Sequence, residues 1–142
     1  MKPVSELLKN NPTTLWSVRP DETVFEAITV LAEKGVGALM VMEHGKLVGI
    51  VSERDYTRKI ALKGKNSRET RVREIMTRDV LVVSPTTSTR DCMALMSSKN
   101  IRHLPVMDGV TVVGMLSVRD LVSDIIADHE FTITQLENYI RG

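Results

Sequence analysis

The residues best equipped for chemistry form a string that is written twice, Ser52-Glu53-Arg54-Asp55 and Ser117-Val118-Arg119-Asp120. A serine followed three places on by an acid is a helix-capping pattern, in which the hydroxyl accepts from a first-turn amide and the carboxylate bonds back. The same carboxylate, an acceptor with two oxygens, also suits a pair of vicinal hydroxyls on a bound molecule. A helix start favours phosphate through its free amides and dipole. The guanidinium of Arg54 or Arg119, at the second helical position, has the fork that phosphate oxygens fit. For one isolated string capping alone, with the arginine in a surface ion pair, is the simpler reading; exact repetition weakens it. Arg102 and His103 are basic neighbours found only in the second half, where a lone histidine would ordinarily be a hydrogen-bonded structural residue.

These strings sit inside a longer repeat. A shift of 65 positions aligns residues 18–57 with 83–122 without a gap, and Val18, Pro20, Lys34, Leu39, Val41, Met42, Val48, Gly49, Ser52, Arg54 and Asp55 all recur. Each copy opens with an extended segment, residues 15–18 or 80–83, leading to a proline. Thr23 with Glu26, and Ser88 with Asp91, mark helix starts. Val24, Ala27, Ile28 and Leu31, like Cys92, Met93 and Met96, give each helix one apolar face, and Gly35 or Asn100 supplies a left-handed exit. Two apolar runs follow in each copy, residues 38–42 with 47–51 and 104–107 with 110–116. Glu43-His44-Gly45-Lys46 and Asp108-Gly109 interrupt them, so each pair predicts a hairpin. A second helix starts at Ser52 or Ser117. The order strand, helix, strand, strand, helix predicts an α/β (α+β) fold in which two copies pack sheet to sheet about a pseudo-twofold axis.

A shorter echo, Val4-Ser5-Glu6-Leu7-Leu8 against Val72-Arg73-Glu74-Ile75-Met76, precedes each copy and reads as part of it. The chain then divides into a first repeat at 1–64, a linker at 65–71, a second repeat at 72–127 and a helical tail at 128–142. In the tail Ile133, Leu136 and Ile140 lie near helical spacing, to pack on their own module or to meet a second chain.

Composition narrows the function. With 142 residues, 42% of them hydrophobic, the chain can bury one compact core as a soluble module. Nineteen basic residues nearly cancel eighteen acidic ones, so no global field points to nucleic acid or an anionic membrane. Aromatics at 4% argue against a stacking platform for nucleic acid, and Lys59, Lys63, Lys65, Arg68, Arg71 and Arg73 read as a solvated connecting segment. The single cysteine, Cys92, excludes an intrachain disulfide and fits a cytoplasmic setting. The amino terminus lacks a signal-peptide pattern and no run is long enough to span a membrane. His44, His103 and His129 are scattered, so no metal is expected, and the eight methionines follow helix stripes and strands as core fillers. No nucleophile with its base, phosphate loop or catalytic carboxylate pair stands out, so the chain is not read as an enzyme.

The run Ile101-Arg102-His103-Leu104-Pro105-Val106-Met107-Asp108, followed by Val113-Gly114-Met115-Leu116-Ser117-Val118-Arg119-Asp120, resembles the CBS-domain family; the first copy carries a weaker version, Val36-Gly37-Ala38-Leu39-Met40-Val41 with Val48-Gly49-Ile50-Val51-Ser52-Glu53-Arg54-Asp55. The resemblance implies a tandem pair, a Bateman module, with two equivalent clefts of the kind that in relatives hold AMP, ATP, NAD or S-adenosylmethionine. It implies ribose at Asp55, Asp120, Ser52 and Ser117, and phosphate at Arg54, Arg119, Arg102 and His103. The adenine slot would be lined by Thr14, Leu15, Val36, Gly37 and Ala38 in one cleft and by Thr77, Asp79, Val80, Ile101 and Pro105 in the other. It further implies a regulatory, stand-alone signal-transduction sensor that forms a homodimer and acts on an unidentified effector protein. Because Gly37 and Ala38 stand where the second copy has Arg102 and His103, the two sites are expected to differ. A nucleic-acid-associated or purely structural dimerisation module is the alternative.

Overall fold

The computed structural model describes residues 2–10 and 15–141. Both helices that open the repeats form where the capping chemistry puts them. Thr23 Oγ1 accepts from the Glu26 amide at 3.1 Å to start α2 (Val24–Lys34), and Gly35 ends it at φ 65°. Ser88 Oγ accepts from the Asp91 amide at 3.0 Å to start α5 (Thr89–Lys99), which Asn100 ends at φ 53°. Val24, Ala27 and Leu31 on α2, and Cys92 and Met96 on α5, are buried, so the apolar stripe of each helix faces a core.

The hairpins also form, as β2 (Ala38–Glu43) with β3 (Lys46–Ser52) and β4 (His103–Asp108) with β5 (Thr111–Ser117), both antiparallel. Ala38 faces Ser52 in register and His103 faces Ser117, and a bulge follows Val41 in one copy and Val106 in the other. The extended segments differ. Residues Ser17–Val18 form β1, parallel to β2, whereas in the second copy only Val83 bridges Val106. The first sheet therefore has three strands and the second has two.

Each leading segment packs into the core of the other repeat. Helix α1 (Val4–Asn10) puts Val4 and Leu7 into the second core, with Val83, Cys92, Met96, Leu104 and Leu116. Helix α4 (Val72–Ile75) puts Val72 and Ile75 into the first, with Val18, Val24, Leu31, Leu39 and Val51. The exchange is symmetric down to single hydrogen bonds: the Val4 amide donates to Thr87 O as the Val72 amide donates to Glu22 O, both at 2.8 Å. Fully burying a Val or Leu side chain contributes about 1.5–3 kcal/mol, so each leading helix ties the two halves together.

The linker is tied to the first repeat, although most of its residues are exposed. Thr70 is buried and its carbonyl accepts from the Val24 amide, while the Arg68 guanidinium lies 4.0 Å from the Phe25 ring centroid. The closing helices diverge as well. In the first copy α3 (Glu53–Tyr56) runs into a π-helical turn, Thr57–Ala61, and Gly64 follows in the left-handed region. In the second, α6 runs unbroken from Val118 to Arg141, because neither Gly nor Pro interrupts it; the expected separate tail is the outer part of this helix. No helix among the described residues is long and apolar enough to cross a membrane.

Candidate functional site

Each Ser-x-Arg-Asp string lies where the last strand of its repeat turns into a closing helix. The backbone repeats here too: the Glu53 amide donates to Gly37 O at 3.1 Å, and Val118 to Arg102 O at 2.9 Å. Both strings open onto one continuous cavity of about 940 Å3. Among sequence-derived candidates, Ser52, Arg54 and Asp55 line it from one copy and Ser117, Arg119 and Asp120 from the other. Arg102 and His103 line it, as do Leu15, Val36, Gly37 and Ala38, and also Thr77, Asp79, Val80 and Ile101. Thr77 exchanges both backbone hydrogen bonds with Ile50 on β3, which puts this segment beside the first sheet.

Pro105 is the exception. It shares a strand face with His103, yet it is buried within β4, its carbonyl accepts from the Val83 amide at 3.0 Å, and it does not line the cavity. Thr14 lies outside the described residues.

Both aspartates cap their helices. Asp55 Oδ2 accepts from the Ser52 amide at 2.9 Å and from Ser52 Oγ at 3.1 Å, and the Asp55 amide donates back to Ser52 Oγ at 3.2 Å. Asp120 Oδ2 accepts from the Ser117 amide at 2.8 Å, and the Asp120 amide donates to Ser117 Oγ at 3.1 Å. The remaining oxygens fare differently. Asp55 Oδ1 is 3.2 Å from Lys59 Nζ, and that ammonium also donates to Ile75 O on α4 at 2.7 Å. Asp120 has no ion-pair partner among the described residues. At the position equivalent to Lys59 the second copy has Asp124, whose carboxylate is 2.6 Å from Lys2 Nζ. The hydrogen bond that Lys2 donates to Asp124 raises the Lys2 pKa.

The arginines diverge in the same sense. Arg54 reaches across to the second copy and donates from Nη1 to Asn100 O at 2.9 Å, whereas Arg119 is exposed at the rim. His103 is half-buried opposite Gly37, where any Cβ would come within 3.3 Å of the imidazole. The glycine of one copy thereby makes room for the histidine of the other. Burial pushes the His103 pKa below its ordinary value; Asp120 and Glu53 oppose this, while Arg102 and Arg54 reinforce it.

Sequence reasoning missed several walls of the cavity: Trp16, Met40, Ile50, Glu53, Arg58, Lys59 and Met115. Trp16 is braced by Lys34, whose Nζ is 4.3 Å from the ring centroid. Lys59 left a signal, since it stands four residues after Asp55 on a helix. The cavity as a whole combines apolar walls, two carboxylates, hydroxyls and several cations, an arrangement suited to an anionic molecule with a flat apolar part and a diol.

Comparisons with known proteins fit this geometry. A family model described as CBS domain matches residues 4–62 and 72–127. The chain is 38% identical over 133 residues to the CBS domain-containing protein CBSX3, mitochondrial, of Arabidopsis thaliana; the match covers 90% of this chain and 64% of that protein, under two thirds of its length. A solved protein with CBS domains from Burkholderia ambifaria MC40-6 superposes with a TM-score of 0.86 at 46% identity, covering 89% of this chain and 95% of that one. The CBS domain pair of protein MJ0100, solved with methylthioadenosine and S-adenosyl-L-methionine, gives a TM-score of 0.76 at 27% identity, covering 89% and 97%. A hexameric CBS-CP12 protein from bloom-forming cyanobacteria gives 0.77 at 30% identity, covering 84% and 66%.

Proposed function

Because the chain belongs to the CBS-domain family, with two CBS domains in tandem, we propose that its cavity is a regulatory binding site for an adenine nucleotide. The observation that carries this reading is the pair of Ser-x-Arg-Asp turns opening onto one cavity with apolar walls. At about 940 Å3 the space is large enough for a mononucleotide, a dinucleotide or two mononucleotides. The MJ0100 complex with two adenosine compounds supports the ligand class.

In this reading adenine lies against Leu15, Val36, Val80 or Ile101, and the ribose diol donates to the free oxygen of Asp120 beside Ser117. Arg119 and Arg102 meet the phosphates, with His103 alongside. Asp55, Ser52 and Arg54 form the corresponding half-site, where Lys59 already occupies the carboxylate. AMP is the ligand proposed, with ATP, NAD, NADH and S-adenosylmethionine as its competitors. The ligand bridges both repeats and shifts the population between two arrangements of the module, which an effector protein reads. The role is signal transduction by a cytoplasmic homodimer, without catalysis.

Calorimetry with these five ligands tests the proposal, on wild type and on the double variant Asp55→Ala, Asp120→Ala. An adenosine ligand binding tighter than millimolar, and lost in the double variant, is the expected result. Binding indifferent to both substitutions, or none in the panel, overturns it.

A further inference from the structure

Only the first part of α6 touches its own module. Leu121 is fully buried, whereas residues 126–140 are all exposed. Along the free length Val122, Ile126, His129, Ile133, Leu136 and Ile140 follow one another at alternating steps of four and three. That is an average of about 3.5 residues, the coiled-coil seam rather than the broader face of a helix lying on a globule. Ile126, Ile133 and Ile140 fill the a positions, and Val122, His129 and Leu136 the d positions. Ile133 is 56% exposed, Leu136 59% and Ile140 82%, so the stripe has no cover among the described residues.

We propose that α6 pairs with α6 of a second copy as a parallel two-stranded coiled coil, with both modules at the same end. β-branched residues at a with leucine at d favour two parallel strands. Charge agrees: the e positions hold Ser123, Glu130 and Glu137, and the g positions hold Ile125, Thr132 and Tyr139. A parallel pair sets e against g, so each glutamate meets an uncharged side chain; an antiparallel pair sets e against e and brings glutamates together. His129 makes one polar layer that meets its own counterpart only in the symmetric register. A lipid surface is the wrong partner, because residues 120–140 contain no Lys or Arg and carry Asp124, Asp128, Glu130 and Glu137 on the polar side. The helix is nucleated within the module at Ser117, so pairing does not bear the nucleation cost that makes isolated short helices marginal.

This deepens the homodimer part of the proposed function and is independent of the ligand. Sedimentation of the full chain tests it, comparing wild type with the double variant Ile133→Glu, Leu136→Glu; both positions are exposed, so the module's circular dichroism melt should not move. The expected result is a dimer that the double variant dissociates at least a hundredfold more readily, and that His129→Leu tightens. A Leu136→Cys variant should oxidise to a symmetric cross-linked dimer, since Cys92 is buried and its thiol is pushed up to about 11. A dimer that survives the double glutamate substitution overturns the coil while leaving the homodimer intact. A wild type monomeric at every concentration overturns both, and a dimer of the Leu136→Cys variant that fails to cross-link overturns the parallel arrangement.

Discussion

The same four-residue string meets two different electrostatic settings in this molecule. In the first copy Asp55 is closed in: one oxygen serves the cap and the other faces Lys59, while Arg54 is drawn to the Asn100 carbonyl. In the second the cap is kept, but the lysine position has become Asp124 and is turned toward Lys2 of α1. Asp120 and Arg119 stay available to an incoming molecule. Both turns share the capping geometry, and what lies one helical turn further on sets them apart, Lys59 in one copy and Asp124 in the other.

The largest expected effect tests how far the halves are joined. Leu7, 1% exposed, sits in the second core although it precedes the first repeat. Leu7→Ala should cost about 2–5 kcal/mol and shift a single unfolding transition. Trp16, packed on the first core, should report that shift in urea together with circular dichroism; a Trp16 signal that ignores Leu7→Ala would break the coupling. Next comes the contrast between the aspartates. A hydrogen bond to a charged group is worth about 1.5–3 kcal/mol, so Asp120→Asn should weaken nucleotide binding by roughly ten- to a hundredfold. Asp55→Asn should do so only a few-fold, and equal losses by calorimetry would remove the asymmetry.

Lys59→Met should narrow that contrast by releasing Asp55. Because the Lys59 side chain is 41% exposed, its stability cost should stay below about 1 kcal/mol in denaturant titration. The smallest effect concerns pH. The folded pKa of His103 lies below its ordinary value of 6.5, so the unfolded chain takes up that proton first. The contribution to stability is complete above about pH 6.5 and is lost as pH falls through the lower folded value. His103→Asn should flatten this part of the stability profile; an unchanged slope would contradict the burial.

Local chemistry is what the sequence made legible. Caps at Thr23 and Ser88, left-handed exits at Gly35 and Asn100, and the hairpins follow from residue types within a few positions of each other. The internal repeat then paired the two turns, and nearly every candidate residue reached the same cavity. What could not be read depends on contacts distant in sequence. Val72-Arg73-Glu74-Ile75 has the same apolar pattern whichever core receives it, so the exchange of α1 and α4 left no trace. Pro105 shares its run and its strand face with His103, yet it is buried and does not line the cavity, which its residue type did not show. The close approach of Gly37 to His103 joins residues 66 positions apart.

If Asp120 holds a ribose diol, the protein distinguishes AMP from 2′-deoxy-AMP. In titrations with the two nucleotides wild type should prefer AMP by tenfold or more, and Asp120→Asn should abolish the preference. Equal affinity of wild type for both would mean that Asp120 holds no diol.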